Sequence, residues 1–270
     1  MCIECGCHHS VPFGVKVLSV LAPRLLLPRE PAGPPGPVNP DGGTTRTLEI
    51  HASLLAKNDD AAASNRARFS RQRILALNLV SAPGSGKTTL LSRTVDEFGH
   101  EQHCAVVVGD LETDNDARRL HRAHVPVAQI TTGTACHLDA EMVARGLDAL
   151  ALDGVRVMFI ENVGNLVCPA DFDLGETLRV VLLSVTEGED KPLKYPPIFK
   201  SAHLVLLTKI DVAEVLGFDR ALAVTNIRRM APQARVIELS ARSGEGMAEW
   251  YQYLREYLSP AESPAAGGSD

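Results

Sequence analysis

Hydrophobic residues concentrate in seven short runs between residues 74 and 240, and helical stretches separate most of these runs. Several runs are continuously apolar rather than alternating, which is typical of strands buried on both faces of a sheet. Strands that alternate with helices predict parallel pairing through right-handed crossovers. The predicted fold class is therefore α/β, with a doubly wound, mostly parallel sheet. The predicted strands are 74–80, 103–109, 127–131, 155–161, 179–185, 203–209 and 234–240.

The chain divides by composition into four regions. Residues 1–10 are rich in Cys and His, and residues 11–45 show no helical or strand periodicity and end in a Pro/Gly run. Because Pro and Gly interrupt helices and central strands, we interpret 11–45 as a flexible linker. The main domain spans 46–260 and opens with a helix predicted over 46–73, and the tail 261–270 is expected to be disordered. The last helix is assigned to the core by the spacing of Met247, Trp250, Tyr251, Leu254 and Leu258.

A candidate phosphate-binding loop follows the first predicted strand and precedes a helical stretch, with the sequence SAPGSGKTT from Ser81 to Thr89. Glycines allow the backbone N–H groups to face phosphates, and the helix N-terminus adds partial positive charge. We assign Lys87 to the β- and γ-phosphates and the Thr88 hydroxyl to Mg²⁺. Ser81 stands where such loops usually have their first glycine, and the alternative is an ordinary Gly/Ser turn. The predicted nucleotide-binding residues of the loop are Gly84, Ser85, Gly86, Lys87, Thr88 and Thr89.

Two further motifs lie at predicted strand ends, where open α/β sheets bind ligands. Thr208-Lys209-Ile210-Asp211 resembles the guanine-recognition motif Asn-Lys-x-Asp, with Thr in place of Asn. An Asp carboxylate can accept hydrogen bonds from guanine N1–H and its 2-amino group, and adenine lacks that pair of donors. Ser240-Ala241 resembles a second motif that lines guanine. Lys209, Asp211, Ser240 and Ala241 therefore predict preference for GTP and GDP.

Acidic residues follow two other strands, where Mg²⁺ and an attacking water are expected. Asp110 ends one strand and leads to Asp114 and Asp116, and Glu161 begins the segment ENVG, which resembles the Asp-x-x-Gly of GTPases. We assign Asp110 and Glu161 to the Mg²⁺ shell and Asp114 or Asp116 to water orientation, with Lys87 completing the catalytic set. One of these carboxylates could instead cap a helix at 116–123.

Composition argues against several classes of function. The net charge of −6 over 270 residues argues against a nucleic-acid partner, which requires a basic surface. The apolar stretch from Val15 to Leu27 is too short and too interrupted for a membrane span, which needs about 20 residues. No membrane partner is predicted, and the cytoplasm is the expected compartment.

Cysteine and histidine form two candidate metal sites. Cys2, Cys5 and Cys7, with His8 and His9 directly after, form a soft donor set that suits Ni²⁺, Zn²⁺ or Cu⁺. Exposed thiols without a metal are the alternative for this segment.

The second candidate set is Cys136, His137 and Cys168, for which an ordinary core position is the alternative. Two chains that meet at a two-fold axis would supply enough ligands for a closed site. Cys104, inside a predicted strand, is assigned to the core.

The segments GSGKTT, GDLETDNDA, TGTACHLDA, FIENVGNLVCPADFDLGE, LSVTEGEDKPLKYPPIF and SARSGEGM together resemble the HypB family of hydrogenase nickel-incorporation GTPases. The resemblance covers about residues 46–258 and the first seven residues. It implies a phosphate-loop GTPase of the signal-recognition-particle and nitrogenase-iron-protein class that works as a nucleotide-dependent homodimer. It also implies nickel at Cys2, Cys5 and Cys7, and nickel or zinc at Cys136, His137 and Cys168.

The resemblance implies a GTP-hydrolysing metallochaperone that delivers nickel to a [NiFe]-hydrogenase large-subunit precursor, alongside other nickel-insertion proteins. Two alternatives are a nickel buffer whose nucleotide site is only structural and the related GTPase of urease assembly. The pair His8-His9, in place of a long His-rich tract, argues against storage of many ions. The N-terminal CxxCGC pattern, spelled CIECGC here, argues for the hydrogenase branch.

Overall fold

The computed structural model describes residues 14–18, 43–99, 101–110 and 125–258. Eight strands form one sheet: β1 (Gly14–Leu18), β2 (Leu75–Ser81), β3 (Cys104–Asp110), β4 (Val127–Thr131), β5 (Val157–Glu161), β6 (Leu178–Ser184), β7 (Leu204–Thr208) and β8 (Arg235–Leu239). Within the described residues, seven α-helices accompany them: α1 (Gly43–Gln72), α2 (Lys87–Phe98), α3 (Ala140–Asp148), α4 (Lys191–Lys194), α5 (Pro196–Lys200), α6 (Arg220–Met230) and α7 (Met247–Leu258). Within these ranges, no helix is both long and apolar enough to cross a membrane.

The strand order is β1-β4-β3-β5-β2-β6-β7-β8, and every pair is parallel except the antiparallel pair of β1 with β4. All seven strands predicted from the sequence are present, within two residues at each end. The central position of β2 puts the loop that follows it beside the ends of β5 and β6. The predicted doubly wound α/β fold is confirmed.

Helices cover both faces of the sheet. One face packs against α2 and α7, and the other packs against α1, α3, α5 and α6. The apolar run of β2 does not alternate because both faces of this strand are buried. Leu77 and Leu79 pack on the α2 and α7 face, and Ala76 and Val80 pack on the opposite face. In α7, the buried Trp250 donates a hydrogen bond from Nε1 to Thr94 Oγ1 of α2 at 2.9 Å. The predicted core role of the last helix is thus confirmed.

The first strand is the main difference from the sequence prediction. β1 lies inside 11–45, which was interpreted as a linker without regular structure, and Gly14 pairs with Thr131 while Leu18 pairs with Val127. A five-residue edge strand pairs through its backbone on one side only, so it needs no recognisable apolar pattern. Helix α1 also begins at Gly43, three residues before its predicted start. The predicted regions 1–10 and 261–270 lie outside the described residues.

Candidate nucleotide and metal site

The loop between β2 and α2 has the geometry that a phosphate cradle requires. Gly84 and Gly86 have φ of 74° and 100°, which is a conformation that only glycine adopts readily. Gly86 directly precedes α2, so the loop ends at a helix N-terminus. The Lys87 ammonium donates to Ser81 Oγ at 2.8 Å. Ser81, in place of the usual glycine, therefore supplies a hydroxyl that holds the lysine side chain over the loop.

Two of the predicted Mg²⁺ residues are in contact at the carboxyl edge of the sheet, and a third lies at the same edge. Thr88 Oγ1 donates to Glu161 Oε1 at 2.6 Å, and Glu161 is buried. In the pairing of β3 with β5, Val108 is opposite Glu161, so Asp110 lies two residues further at the same edge. Hydroxyl and carboxylate oxygens are the ligands that Mg²⁺ prefers, and this donor set fits the ion. The other two predicted carboxylates, Asp114 and Asp116, lie outside the described residues.

The phosphate loop also contacts the segment that follows Glu161. A Cβ atom added at Gly164 would lie 2.9 Å from Pro83 Cα, which is closer than real Cβ contacts. Only a glycine at this position lets the segment lie directly against the loop backbone. The Gly of the predicted ENVG motif therefore brings the strand β5 end and the phosphate loop into contact.

A pocket of ≈ 270 Å³ lies beside the loop, at the ends of β7 and β8. Its walls include Thr89, Lys209, Asp211, Ser240 and Ala241, so the two sequence-predicted guanine motifs come together around one space. Ser240 is buried, and its Oγ accepts the backbone N–H groups of the two residues 242 and 243 at 3.2 and 3.1 Å, which fixes the turn that forms the wall.

Thr208 and Lys209 attach the guanine motif to the phosphate loop. Thr208 Oγ1 donates to the Ser85 carbonyl at 2.8 Å, and the Lys209 ammonium donates to the Gly84 carbonyl at 2.6 Å. The Lys209 side chain also passes over Gly86, where an added Cβ would lie 3.8 Å from Lys209 Cε. The threonine that replaces the usual asparagine thus contacts the loop through its hydroxyl. The sequence alone did not predict this role.

Glu187 is a second residue whose role the sequence analysis missed. Its Oε1 accepts the hydroxyl of Ser85 at 2.6 Å and the backbone N–H of Ser184 at 3.1 Å. The ammonium nitrogen Nζ of Lys191 lies 3.9 Å from Glu187 Oε2. Glu187 belongs to the segment EGEDKPLKYP, which carried the family resemblance, and that segment was the available signal.

Cys136, His137 and Cys168 form the one group of three Cys, His, Asp or Glu side chains, within the described ranges, that is compact enough to hold a metal ion. Cys136 Sγ lies 3.0 Å from Cys168 Sγ and 3.9 Å from His137 Nδ1, and all the ligand atoms lie within 4.8 Å of one another. Zn–S and Zn–N bonds are about 2.0–2.3 Å long, so small adjustments would bring the three atoms onto one ion. Neither cysteine is in a disulfide. Soft sulfur and imidazole donors fit nickel or zinc.

The environment of His137 keeps its imidazole in the form that binds metals. The side chain is buried, and burial lowers the pKa of His137 to about 4. At neutral pH the ring is therefore uncharged. It packs against Phe172, with ring centroids 4.0 Å apart. A neutral imidazole beside two thiols is a donor set ready for a cation.

The remaining cysteines divide into one core residue and the N-terminal group. Burial raises the pKa of Cys104 to about 12, and its side chain is buried in the core on the α2 face, as the sequence predicted. The predicted ligands Cys2, Cys5 and Cys7 lie outside the described residues.

A short segment connects the nucleotide residues to the metal residues. Glu161, which contacts Thr88, and Cys168, which contacts Cys136, are joined by residues 162–167. Within this segment, Asn162 Oδ1 accepts the backbone N–H of Leu138, the residue after His137, at 3.0 Å. The metal cluster is therefore attached to the segment at two points.

Comparison with known proteins gives consistent matches. The family described as CobW/HypB/UreG, nucleotide-binding domain, matches residues 75–238. The hydrogenase maturation factor HypB of Azotobacter chroococcum mcd 1 is 52% identical over 223 residues, which span 82% of this chain and 73% of that protein. HypB of Escherichia coli (strain K12) is 42% identical over 284 residues, 94% of this chain and 98% of that protein.

A solved structure gives the same result. The crystal structure of HypB from Helicobacter pylori in complex with nickel has a TM-score of 0.71 and 39% identity, and it covers 77% of this chain and 99% of that one. The phosphate loop, the central β2 and the matched range agree with a nucleotide-binding domain. On the sequence relatives, the family match and the shared fold, this chain belongs to the HypB family of hydrogenase maturation factors.

Proposed function

We propose that the chain is a GTP-hydrolysing metallochaperone that binds nickel and delivers it to a [NiFe]-hydrogenase precursor. The observation that carries this proposal is the segment between Glu161 and Cys168. One end contacts the Thr88 hydroxyl of the phosphate loop, and the other end contacts Cys136 of the metal cluster. A change at the γ-phosphate can therefore reach the metal ligands through a few residues. A nickel buffer with a purely structural nucleotide site would not need this connection.

The choice of GTP over ATP rests on Asp211. This residue lines the pocket beside the phosphate loop together with Ser240 and Ala241. Its carboxylate can accept from two adjacent donors of guanine, and an unpaired buried donor costs about 1–3 kcal/mol. Adenine offers no such pair, so the pocket favours GTP and GDP.

Hydrolysis requires mainly positioning and charge stabilisation. Thr88, Glu161 and Asp110 would hold Mg²⁺, which neutralises charge on the β- and γ-phosphate oxygens when it is bound. Lys87 binds the same phosphates, and the N-terminus of α2 contributes N–H donors. Asp114 or Asp116 is proposed to orient the attacking water.

Nickel is the cargo rather than a permanent cofactor in this proposal. The two proposed sites are Cys2, Cys5 and Cys7 at the N-terminus and the internal cluster Cys136, His137 and Cys168, which could also hold zinc. One chain contributes three ligand atoms to the internal cluster. A second copy at a two-fold axis would supply more, so we propose a homodimer that forms with GTP and metal. A relative solved with bound nickel supports the choice of ion.

The proposed partners are the hydrogenase large-subunit precursor and other nickel-insertion proteins. They follow from family membership, since the relatives bear the name hydrogenase maturation factor.

The proposal is tested by nickel transfer in the full chain. We expect ⁶³Ni-loaded protein to release nickel to a hydrogenase large-subunit precursor faster in GTP than in GDP. Lys87→Ala is expected to remove the difference, because the γ-phosphate would no longer be held. Arg255→Ala is the control, since it also removes one positive charge but lies on α7, where its guanidinium donates to Glu101 away from the nucleotide pocket. Equal transfer in GTP and GDP would favour the buffer.

A further inference from the structure

Helix α1 contains two buried asparagines whose role no motif explains. The helix precedes residues 75–238, the range of the family's nucleotide-binding domain. Asn58 is 6% exposed and Asn65 is 2% exposed, whereas most other polar residues in the 53–72 part of this helix are exposed. A buried amide is costly unless its donors and acceptors are satisfied, so the partners of these two side chains indicate their function.

Asn58 connects the two segments that carry the metal ligands. Its Oδ1 accepts the backbone N–H of Ala140 at 2.9 Å, and its Nδ2 donates to the Asp173 carbonyl at 2.8 Å. Ala140 is three residues after His137, and Asp173 is five residues after Cys168. Ala140 is also the first residue of α3, where backbone N–H groups have no partner within the helix. One side chain thus completes a helix start and bridges to the other segment.

Asn65 makes the same connection about two turns further along α1. Its Nδ2 donates to the Ala140 carbonyl at 2.8 Å and to the Leu174 carbonyl at 3.1 Å. Residues 65 and 58 are seven apart, which places both asparagines on one side of α1. Between these bridges and the cluster, Phe172 packs against the His137 ring. The two segments are therefore tied to each other through α1, within six residues of the ligands along the chain.

We propose that Asn58 and Asn65 are positioning residues of the metal centre. They hold the segment after His137 at a fixed separation from the segment after Cys168, so that the three ligand atoms converge before a metal arrives. This inference rests on the proposed metal role of Cys136, His137 and Cys168. It adds a function for a helix outside the family's nucleotide-binding range, since that helix sets the geometry of cation binding.

The same helix offers a matched control. Arg68 donates to the Leu147 carbonyl at 3.1 Å and to the Asp148 carboxylate at 2.6 Å, both at the C-terminal end of α3. Arg68→Ala therefore weakens the attachment of α1 to α3 but leaves both bridges in place. A general loss of α1 packing would affect this variant too.

The test uses Co²⁺ as the probe in the full chain with Cys2, Cys5 and Cys7 replaced by Ser. Co²⁺ affinity is measured from the thiolate-to-metal absorption, and ligand geometry from the d–d bands. Asn58→Asp keeps the acceptor but removes the donor, and Asn65→Asp removes both donors. We expect each to weaken Co²⁺ binding roughly 10-fold or more and to change the d–d bands, as is typical when outer partners of metal ligands are lost. With Mg²⁺ present and no Co²⁺ added, GTP KM and kcat of both asparagine variants should stay at the parent values, as should Co²⁺ affinity in Arg68→Ala.

The outcomes separate this inference from the proposed function. If Cys136→Ser binds Co²⁺ as tightly as the parent, the metal centre itself is wrong and the positioning role falls with it. If the parent binds tightly and the asparagine variants match it in affinity and bands, with only a lower Tm, the asparagines serve stability alone. An equal loss in Arg68→Ala would also overturn the proposal. Where circular dichroism shows that an Asp variant does not fold, Asn58→Ser or Asn65→Leu takes its place.

Discussion

The nucleotide site and the proposed metal centre are built in different ways. The phosphate loop is one continuous stretch from Ser81 to Thr89, and its internal bond from Lys87 to Ser81 joins residues six apart. The metal centre brings together Cys136 and Cys168, which are 32 residues apart. Its supporting bonds reach further still, since Asn58 and Asp173 are separated by 115 residues.

This difference has consequences for how each site responds to change. The phosphate loop has its own glycines and the helix that follows it, and the bonds from Thr208 and Lys209 add to this local structure. A dispersed cluster depends on every segment that holds it, so a shift in one segment can open or close it. Such a cluster is suited to binding a cargo ion that has to be released.

The largest effect is expected for Lys87→Ala. The ammonium lies over the phosphate loop beside Ser81, and loss of one preorganised charge at a transferring phosphoryl group costs about 10²–10³-fold in rate. GTP turnover should fall by that factor, while Co²⁺ affinity at the Cys136 cluster without nucleotide stays unchanged. Steady-state phosphate release measures GTP turnover, and a Co²⁺ titration of the same preparation measures metal affinity. A parallel loss of metal binding would show that the two sites are not separate structures.

Cys168→Ser is expected to produce the converse result. The serine hydroxyl is a poor ligand for soft cations, and removal of a direct ligand should weaken metal binding by roughly 100-fold or more, above the range for outer partners. GTP affinity should remain within twofold, since Cys168 contacts Cys136 rather than the nucleotide pocket. Cys104→Ser is the control, because Cys104 lies in the core on the opposite face from α3. Unchanged nickel and zinc affinity in Cys168→Ser would return this thiol to an ordinary core role.

Asp211→Asn tests the identity of the base. The amide presents a donor where guanine also presents one, so GTP affinity should fall by about 1–3 kcal/mol, or roughly 5–150-fold. Xanthosine triphosphate should gain affinity, because its C2 carbonyl oxygen accepts a hydrogen bond where the 2-amino group of guanine donates one. Competition binding against a fluorescent GDP analogue gives both values. No loss for GTP together with no gain for the xanthine nucleotide would rule out Asp211 as the guanine contact.

A smaller effect is expected for Thr208→Val. The change keeps the shape of the side chain but removes the hydroxyl that donates to the Ser85 carbonyl. A hydrogen bond of this kind contributes about 0.5–1.5 kcal/mol, so GTP should bind roughly 2–10-fold more weakly. Thr225→Val is the matched control, because its hydroxyl bonds only within the exposed surface of α6. Wild-type GTP affinity in Thr208→Val would mean that the loop does not depend on this contact.

The contrast between the sites also explains what the sequence could predict. Strands and the phosphate loop depend on neighbouring residues, so the apolar runs and the motif around Lys87 located them. Cys136, His137 and Cys168 were selected by residue type, with an ordinary core position as the alternative, and the family resemblance then implied nickel or zinc at these residues. Asn58 and Asn65 gave no signal, since an asparagine in a charged helix resembles a surface residue until its partners are known. The edge strand Gly14–Leu18 was missed because it pairs with one neighbour only, through its backbone, and therefore needs no recognisable apolar pattern.

The central claim is that nucleotide state controls the metal cluster through residues 162–167. The most direct measurement is a titration of nickel and zinc into the full chain with Cys2, Cys5 and Cys7 replaced by Ser, once in GDP and once in a non-hydrolysable GTP analogue with Mg²⁺. The molecular mass of the protein in solution is determined in each nucleotide state, so that monomer and dimer are distinguished. Coupling between sites is typically 1–3 kcal/mol, so we expect metal affinity to differ roughly 5–150-fold, with a dimer favoured in the GTP state. Equal metal affinity and equal mass in both nucleotide states would contradict the account.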